Sequence, residues 1–272
     1  MLGKLLKYEF KDTSRTIPLF YLITLIFAGI VLSAKKVGID WFTFTSSLLL
    51  LLLGVAVAII TLAVVVMRFH KNLFSNEGYL MFTLPVKPHL LLSAKAITAF
   101  VWIIISYCVS IGAFFISMYG FGISGEFGNI MDELDRYGLQ NILYAIIPLV
   151  ILSTVYLLSQ IFFAITIANR PAFHSIGVAS AFLIFLATNV ILQIVEAIFT
   201  IFVPFSVEIN LVGAVDFSLS SKNMLGFLIS SMGGSNPQNM VIGLGGYIFE
   251  VLMVFILFYV TSLNMKNKIS IK

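Results

Sequence analysis

The sequence predicts an all-α integral membrane protein with six transmembrane helices. An amino-terminal interfacial helix precedes them, a basic loop joins the second and third spans, and a re-entrant segment separates the fifth from the sixth. Three observations carry this reading: a composition that no water-soluble core can accommodate, six charge-poor apolar runs of spanning length, and a one-sided distribution of lysine and arginine.

Of 272 residues, 60% are hydrophobic and only 10% charged, with a mean hydropathy of +1.07. Soluble domains run nearer about 25% charged, so apolar surface on this scale calls for lipid as its solvent. The single cysteine, Cys108, lies inside an apolar run, which excludes a disulfide framework or a cysteine metal cluster within one chain. The net charge of +4 sits beside apolar segments rather than among stacking aromatics. Membrane topology accounts for it better than nucleic acid does.

In chain order, residues 1–16 place Leu2, Leu5, Leu6 and Phe10 at helical spacing with Lys4, Lys7 and Lys11 on other faces, the pattern of a helix lying in a membrane interface. A frayed, solvated tail is the alternative. A helix crosses the hydrocarbon in about 20 apolar residues, and six runs qualify: 17–34, 48–67, 96–119, 142–168, 175–203 and 239–263. All belong to one transmembrane domain, 1–272. A rival reading takes residues 1–34 as a cleaved leader ending at Leu32-Ser33-Ala34, against which stand its length and the acids Glu9 and Asp12.

An even number of spans puts both termini on one side. Lys4, Lys7, Lys11, Arg15, Arg68, Lys71, Lys87, Lys95, Arg170, Lys266, Lys268 and Lys272 then share a face, leaving Lys35, Lys36, Arg136 and Lys222 on the other. Excess lysine and arginine marks the cytoplasmic side, so both termini of this multi-pass protein are expected in the cytoplasm. Outside, Asn129 is positioned to cap a short helix with Ile130, Leu134 and Tyr137 on one side and Asp132 and Glu133 in its first turn. Residues 204–238 are semi-apolar but broken by Glu208, Asp216, Lys222 and Gly233-Gly234, which fits re-entrant or interfacial pieces better than two further spans. Pro148 is expected to kink the fourth span. The basic loop has no counterpart elsewhere in the chain, which argues against a repeat-built secondary transporter.

That loop, 68–95, is anchored by charge at both ends, and its middle carries Phe74, Tyr79, Leu80, Phe82 and Leu84. So many large apolar groups on a short loop imply a protein partner, or else packing beneath the bundle. The order of features, together with the wording Asn76-Glu-Gly-Tyr-Leu-Met-Phe-Thr-Leu-Pro-Val86, resembles the permease subunits of type V ABC exporters, in particular Gram-positive permeases that export antimicrobial or toxin peptides. The topology covers the whole chain; the specific wording covers about twenty residues. The resemblance implies a place in the bacterial cell (cytoplasmic) membrane and two paired permeases, a second copy or a paralogue, above two cytosolic ATPase subunits. It assigns ATPase contact to Phe74, Glu77, Gly78, Tyr79, Leu80 and Phe82. The chain has no phosphate-binding G-x-x-x-x-G-K-[ST] loop, so ATP and magnesium are expected in the partner and none in this chain, which is then not itself an enzyme.

Polar groups at membrane depth are functional candidates by default. Asn189, Gln193 and Glu196 follow i, i+4, i+7 spacing on the fifth span, and Glu250 lies mid-way along the sixth. If the fifth and sixth spans line the central cavity of a dimer, these groups form a partly acidic track suited to a cationic amphipathic peptide. The same groups serve equally well for helix-helix adhesion. His70, His89 and His174 lack the paired spacing of a metal helix, and no nucleophile-base pair is apparent. Expected, then, is the membrane subunit of an ATP-driven exporter for an amphipathic peptide or lipid-like substrate. The alternatives are a sensor or immunity subunit that uses the same ATPase without moving substrate and, further off, an accessory subunit of a membrane enzyme.

Overall fold

The computed structural model describes residues 2–74, 87–123, 125, 128–129, 132, 140–170, 179–210, 216–232 and 239–267. They fall into two compact units, residues 1–129 and 130–269.

The first unit is built from α1 (Leu2–Thr13), α2 (Ile17–Val37), α3 (Asp40–Phe74) and α4 (Pro88–Phe121). Boundaries follow local chemistry. Pro18 opens α2, where its missing N–H costs nothing, and Gly38 closes it in the left-handed conformation (φ +77°), its N–H donating to the Ala34 carbonyl. Pro88 and Gly122 (φ +83°) bound α4 in the same way. At 35 and 34 residues, α3 and α4 are each roughly 50 Å long against a hydrocarbon core of roughly 30 Å, so each outruns the expected span inside it. The two pack side by side with α2 against both. The contact is close because of small residues: a Cβ on Gly120 would lie 1.9 Å from Ser47 Oγ and 2.9 Å from Val31 Cγ1. Val31, Leu50 and Ala113 form one buried cluster there, and Ile17, Val64 and Trp102 form another near α1. A hydroxyl chain ties three helices at membrane depth, with Tyr21 Oη 2.7 Å from Ser106 Oγ and Ser106 Oγ donating to Thr61 Oγ1 at 2.7 Å.

A helix is present at the amino terminus as α1, and it is docked against α4. The Lys95 ammonium donates to Glu9 Oε1 at 2.6 Å, the Arg68 guanidinium to Asp12 Oδ2 at 2.5 Å, and Trp102 Nε1 to Thr13 Oγ1 at 2.8 Å.

The second unit comprises α5 (Gln140–Ala168), α6 (Ala179–Phe202), β1 (Ser206–Asn210), β2 (Asp216–Ser220), α7 (Met224–Met232), β3 (Asn239–Gly243) and α8 (Gly245–Asn267). Helix α5 continues through Pro148. Helices α5, α6 and α8 pack on one another around Tyr156, Leu192, Phe249 and Leu257. Strand β1 is the centre of an antiparallel sheet of order β2-β1-β3, pairing Val207 with both Leu219 and Ile242.

Among the described residues, α2 to α6 and α8 are long and apolar enough to cross a membrane, and large apolar side chains such as Leu25, Ile59, Ile191 and Phe255 stand exposed along them. The chain is a multi-pass membrane protein, predominantly helical. Two details differ from the sequence expectation. The stretch read as re-entrant carries two strands and a short helix, and the sixth span begins at Gly245, because Asn239–Gly243 is spent on β3. The small helix expected after Asn129 falls largely outside the described residues.

Candidate functional site

The helices of the second unit enclose an open-sided cavity of about 620 Å³. Helix α5 supplies Ser153, Tyr156, Leu157 and Gln160, α6 supplies Asn189, Gln193, Glu196 and Thr200, α7 supplies Met224 and Leu228, and α8 supplies Glu250. Each set is one helical face, since positions three, four and seven apart stack along the same side. All four residues expected to form a polar track therefore line one wall system, joined by three polar side chains of α5.

Glu250 is 5% exposed, although it lies in the lining. Ser153 Oγ is 3.3 Å from both of its carboxylate oxygens. A hydroxyl has one proton to donate, so this bifurcated contact leaves most of the carboxylate's acceptor capacity turned to the cavity. Glu196 lies within electrostatic reach of Glu250, half-buried, nearly two turns before the end of α6. Deeper along α5, Gln160 is 2% exposed, and its Oε1 accepts from Asn189 Nδ2 at 3.1 Å. This amide pair ties α5 to α6. Tyr156, 6% exposed, contributes its ring to the core cluster, while its hydroxyl has no hydrogen-bond partner among the described residues. Gln193 is exposed.

No lysine, arginine or histidine is among the described residues of the lining. Among the described basic side chains of this unit, Arg170 donates to Asn264 Oδ1, and Lys222 is paired with Glu208 at 2.9 Å. A chamber with two carboxyl groups, amides and hydroxyls and, among the described residues, no cation offers hydrogen-bond acceptors to an entering ammonium group.

The wall is brought together by glycine. A Cβ on Gly245 would stand 2.2 Å from the Phe199 carbonyl oxygen, and one on Gly246 2.4 Å from Thr200 Oγ1 and 3.4 Å from Glu196 Cγ. The first turn of α8 thus lies directly on the last turns of α6, carrying Glu250 and Glu196 into one chamber.

Phe74 ends α3, with its side chain outside the described residues. Glu77, Gly78, Tyr79, Leu80 and Phe82 lie outside them altogether, as does His174. What is described is the frame on either side of that loop, α3 through Arg68 and α4 through Lys95, both bridged to α1. Among the described residues no group of three or more His, Cys, Asp or Glu is placed to hold a metal ion. Comparison with protein-family models, with curated proteins and with solved structures finds no match.

Sequence reasoning missed Ser153, Tyr156 and Gln160. Their i, i+3, i+7 spacing on the fourth span carries the same helical signal that singled out Asn189, Gln193 and Glu196.

Proposed function

We propose that the chain is the membrane-spanning subunit of an ATP-driven exporter and that the cavity of the second unit forms part of the path of a cationic amphipathic substrate, a peptide or a lipid-like molecule. The observation that carries the reading is the cavity's make-up. Carboxylates on α6 and α8, amides on α5 and α6 and a buried phenol face one space with no counter-cation among the described residues. Such groups are costly at membrane depth unless they meet a ligand, a proton or each other. Apolar surfaces of Leu157, Met224 and Leu228 border the same space, so a substrate with one charged and one apolar side is the chemical complement.

On this reading both termini face the cytoplasm, and residues 74–82 receive the ATPase, with Glu77 and Tyr79 as principal contacts. The ATPase supplies ATP and magnesium, a second copy or paralogue completes the complex, and the long ends of α3 and α4 transmit its closure to the membrane helices. Two experiments test it. The tagged chain should copurify with a cytosolic ATPase whose substrate-stimulated turnover is lost in Glu77→Ala and Tyr79→Ala. A cationic amphipathic peptide bearing a photoreactive group should label α6 and α8 residues of the cavity in the full-length chain. Wild-type stimulation in both variants removes the coupling assignment, and labelling confined to other surfaces removes the path. The cavity is an open-sided chamber rather than a described through-route, which favours one second reading: a sensor or immunity subunit that binds the same substrate without moving it. Labelling without flux in proteoliposomes would select that one.

A further inference from the structure

The outward face of α1 is cationic for a structural reason. Lys4, Lys7 and Lys11 fall within about 60° of one another at the helical period of 3.6 residues, and all three are exposed, with Tyr8 standing 70% exposed beside Lys4 at the edge of the row. Arg15, exposed in the turn just after the helix, continues the row. None of these four has an ion-pair partner among the described residues. The acids of the same helix are paired with other cations: Glu9, on the opposite side, with the buried Lys95, and Asp12, about a quarter-turn from Lys11, with Arg68. Those two ion pairs, with Thr13 accepting from Trp102, fix the rotation of α1. The apolar side chains of Leu2, Leu5, Leu6 and Phe10 are all half-buried, so the helix has no free apolar stripe with which to insert in lipid independently.

We propose that this Lys4-Lys7-Lys11 stripe is a binding surface for anionic lipid headgroups, selecting phosphatidylglycerol-type lipids over zwitterionic ones around the first unit. The occupant follows from charge complementarity and position. The stripe belongs to a membrane protein and immediately precedes its first spanning helix, and a row of ammonium groups about one helical turn apart matches a plane of phosphates. The surface requires neither the export reading nor the cavity of the second unit, and it holds if either fails.

The test places a benzophenone amino acid at Tyr8, at the edge of the stripe, in the full-length chain reconstituted in nanodiscs of phosphatidylcholine with about 30% phosphatidylglycerol. After illumination, mass spectrometry counts adducts of each lipid. Phosphatidylglycerol adducts should exceed their share of the bilayer several-fold. The excess should vanish in Lys4→Gln/Lys7→Gln/Lys11→Gln, persist in the matching triple arginine variant, and shrink at about 0.5 M salt, where screening reaches only a few ångströms. Adducts in simple proportion to bilayer composition would overturn the proposal, as would an excess unchanged in the glutamine variant. Adducts to protein instead of lipid would also overturn it and would assign the stripe to a polypeptide partner.

Discussion

Lys95 reaches from the amino-terminal part of α4 to Glu9 of α1 across 2.6 Å, and the two side chains are only 5% and 12% exposed. Neither charge has water to fall back on. Removing one partner of such a pair leaves the other uncompensated, a loss of about 3–5 kcal/mol. Lys95→Met should therefore lower the thermal midpoint of the detergent-solubilised chain well beyond the effect of Arg68→Met. The Arg68 pair is open to solvent, with Asp12 60% exposed, and is worth at most about 1 kcal/mol. Glu9→Leu combined with Lys95→Met should recover much of the loss, because an apolar pair in that site carries no unpaired charge. A double variant no better than Lys95→Met alone would mean that the pair is not the origin of the cost.

The junction of β3 and α8 gives a second prediction, about glycine. Gly245→Ala drives a methyl to within 2.2 Å of the Phe199 carbonyl oxygen, where only a separation of α6 from α8 relieves the overlap. Overpacking of this kind costs about 1–3 kcal/mol, and here it also parts the cavity walls. Gly29→Ala on α2 meets nothing within 4 Å and replaces a poor helix former by a good one, so it should be neutral or mildly stabilising. Thermal midpoints of the two variants side by side check this.

How far the sequence anticipated these features depends on the type of signal. Spans are legible because twenty apolar residues in a row have few other uses; Trp41 to Met67 carries no charge, and it lies within α3. Strands β1 and β2 were equally visible, since Ser206-Val-Glu-Ile-Asn210 and Asp216-Phe-Ser-Leu-Ser220 alternate polar and apolar with period two. In a chain this hydrophobic, that alternation read as apolar sequence interrupted by charge. The boundary of the sixth span slipped for a related reason: Met240-Val-Ile242 is apolar enough to extend the run, and only the pairing with β1 assigns it to the sheet. Partners across helices, such as Glu9 for Lys95 or Ser153 for Glu250, are 86 and 97 residues apart. No local period encodes them.

The Gln160–Asn189 amide pair offers a third prediction. Gln160 is almost fully buried, and its carbonyl oxygen accepts the Asn189 amide at 3.1 Å. Gln160→Leu should cost about 1 kcal/mol, in the range of interhelical hydrogen bonds within membranes, plus the cost of leaving Asn189 unpaired. A double-mutant cycle with Asn189→Leu should return a coupling energy of about 0.5–2 kcal/mol. Strict additivity would show that the two amides stabilise the unit independently and that the contact carries no energy.

The last prediction separates adhesion from binding at Glu250. A carboxylate that merely ties α8 to α5 needs only an acceptor for the Ser153 hydroxyl, and glutamine keeps that acceptor at nearly the same volume. Glu250→Gln should therefore leave the thermal midpoint within about 1 kcal/mol of wild type, the range expected when a hydrogen bond is preserved. A ligand held by charge does not tolerate the same change. Removing one of two carboxylates from a chamber lined by no cation among the described residues removes much of the attraction for an ammonium group, and a charge-assisted contact of this kind is worth about 1.5–3 kcal/mol. Binding of the photoreactive cationic peptide should thus weaken by about ten-fold to a hundred-fold in Glu250→Gln, and in Glu196→Gln to a smaller extent because Glu196 is more exposed. Loss of folded protein with unchanged affinity in what remains would make Glu250 a structural residue and leave the chamber without its principal anionic contact.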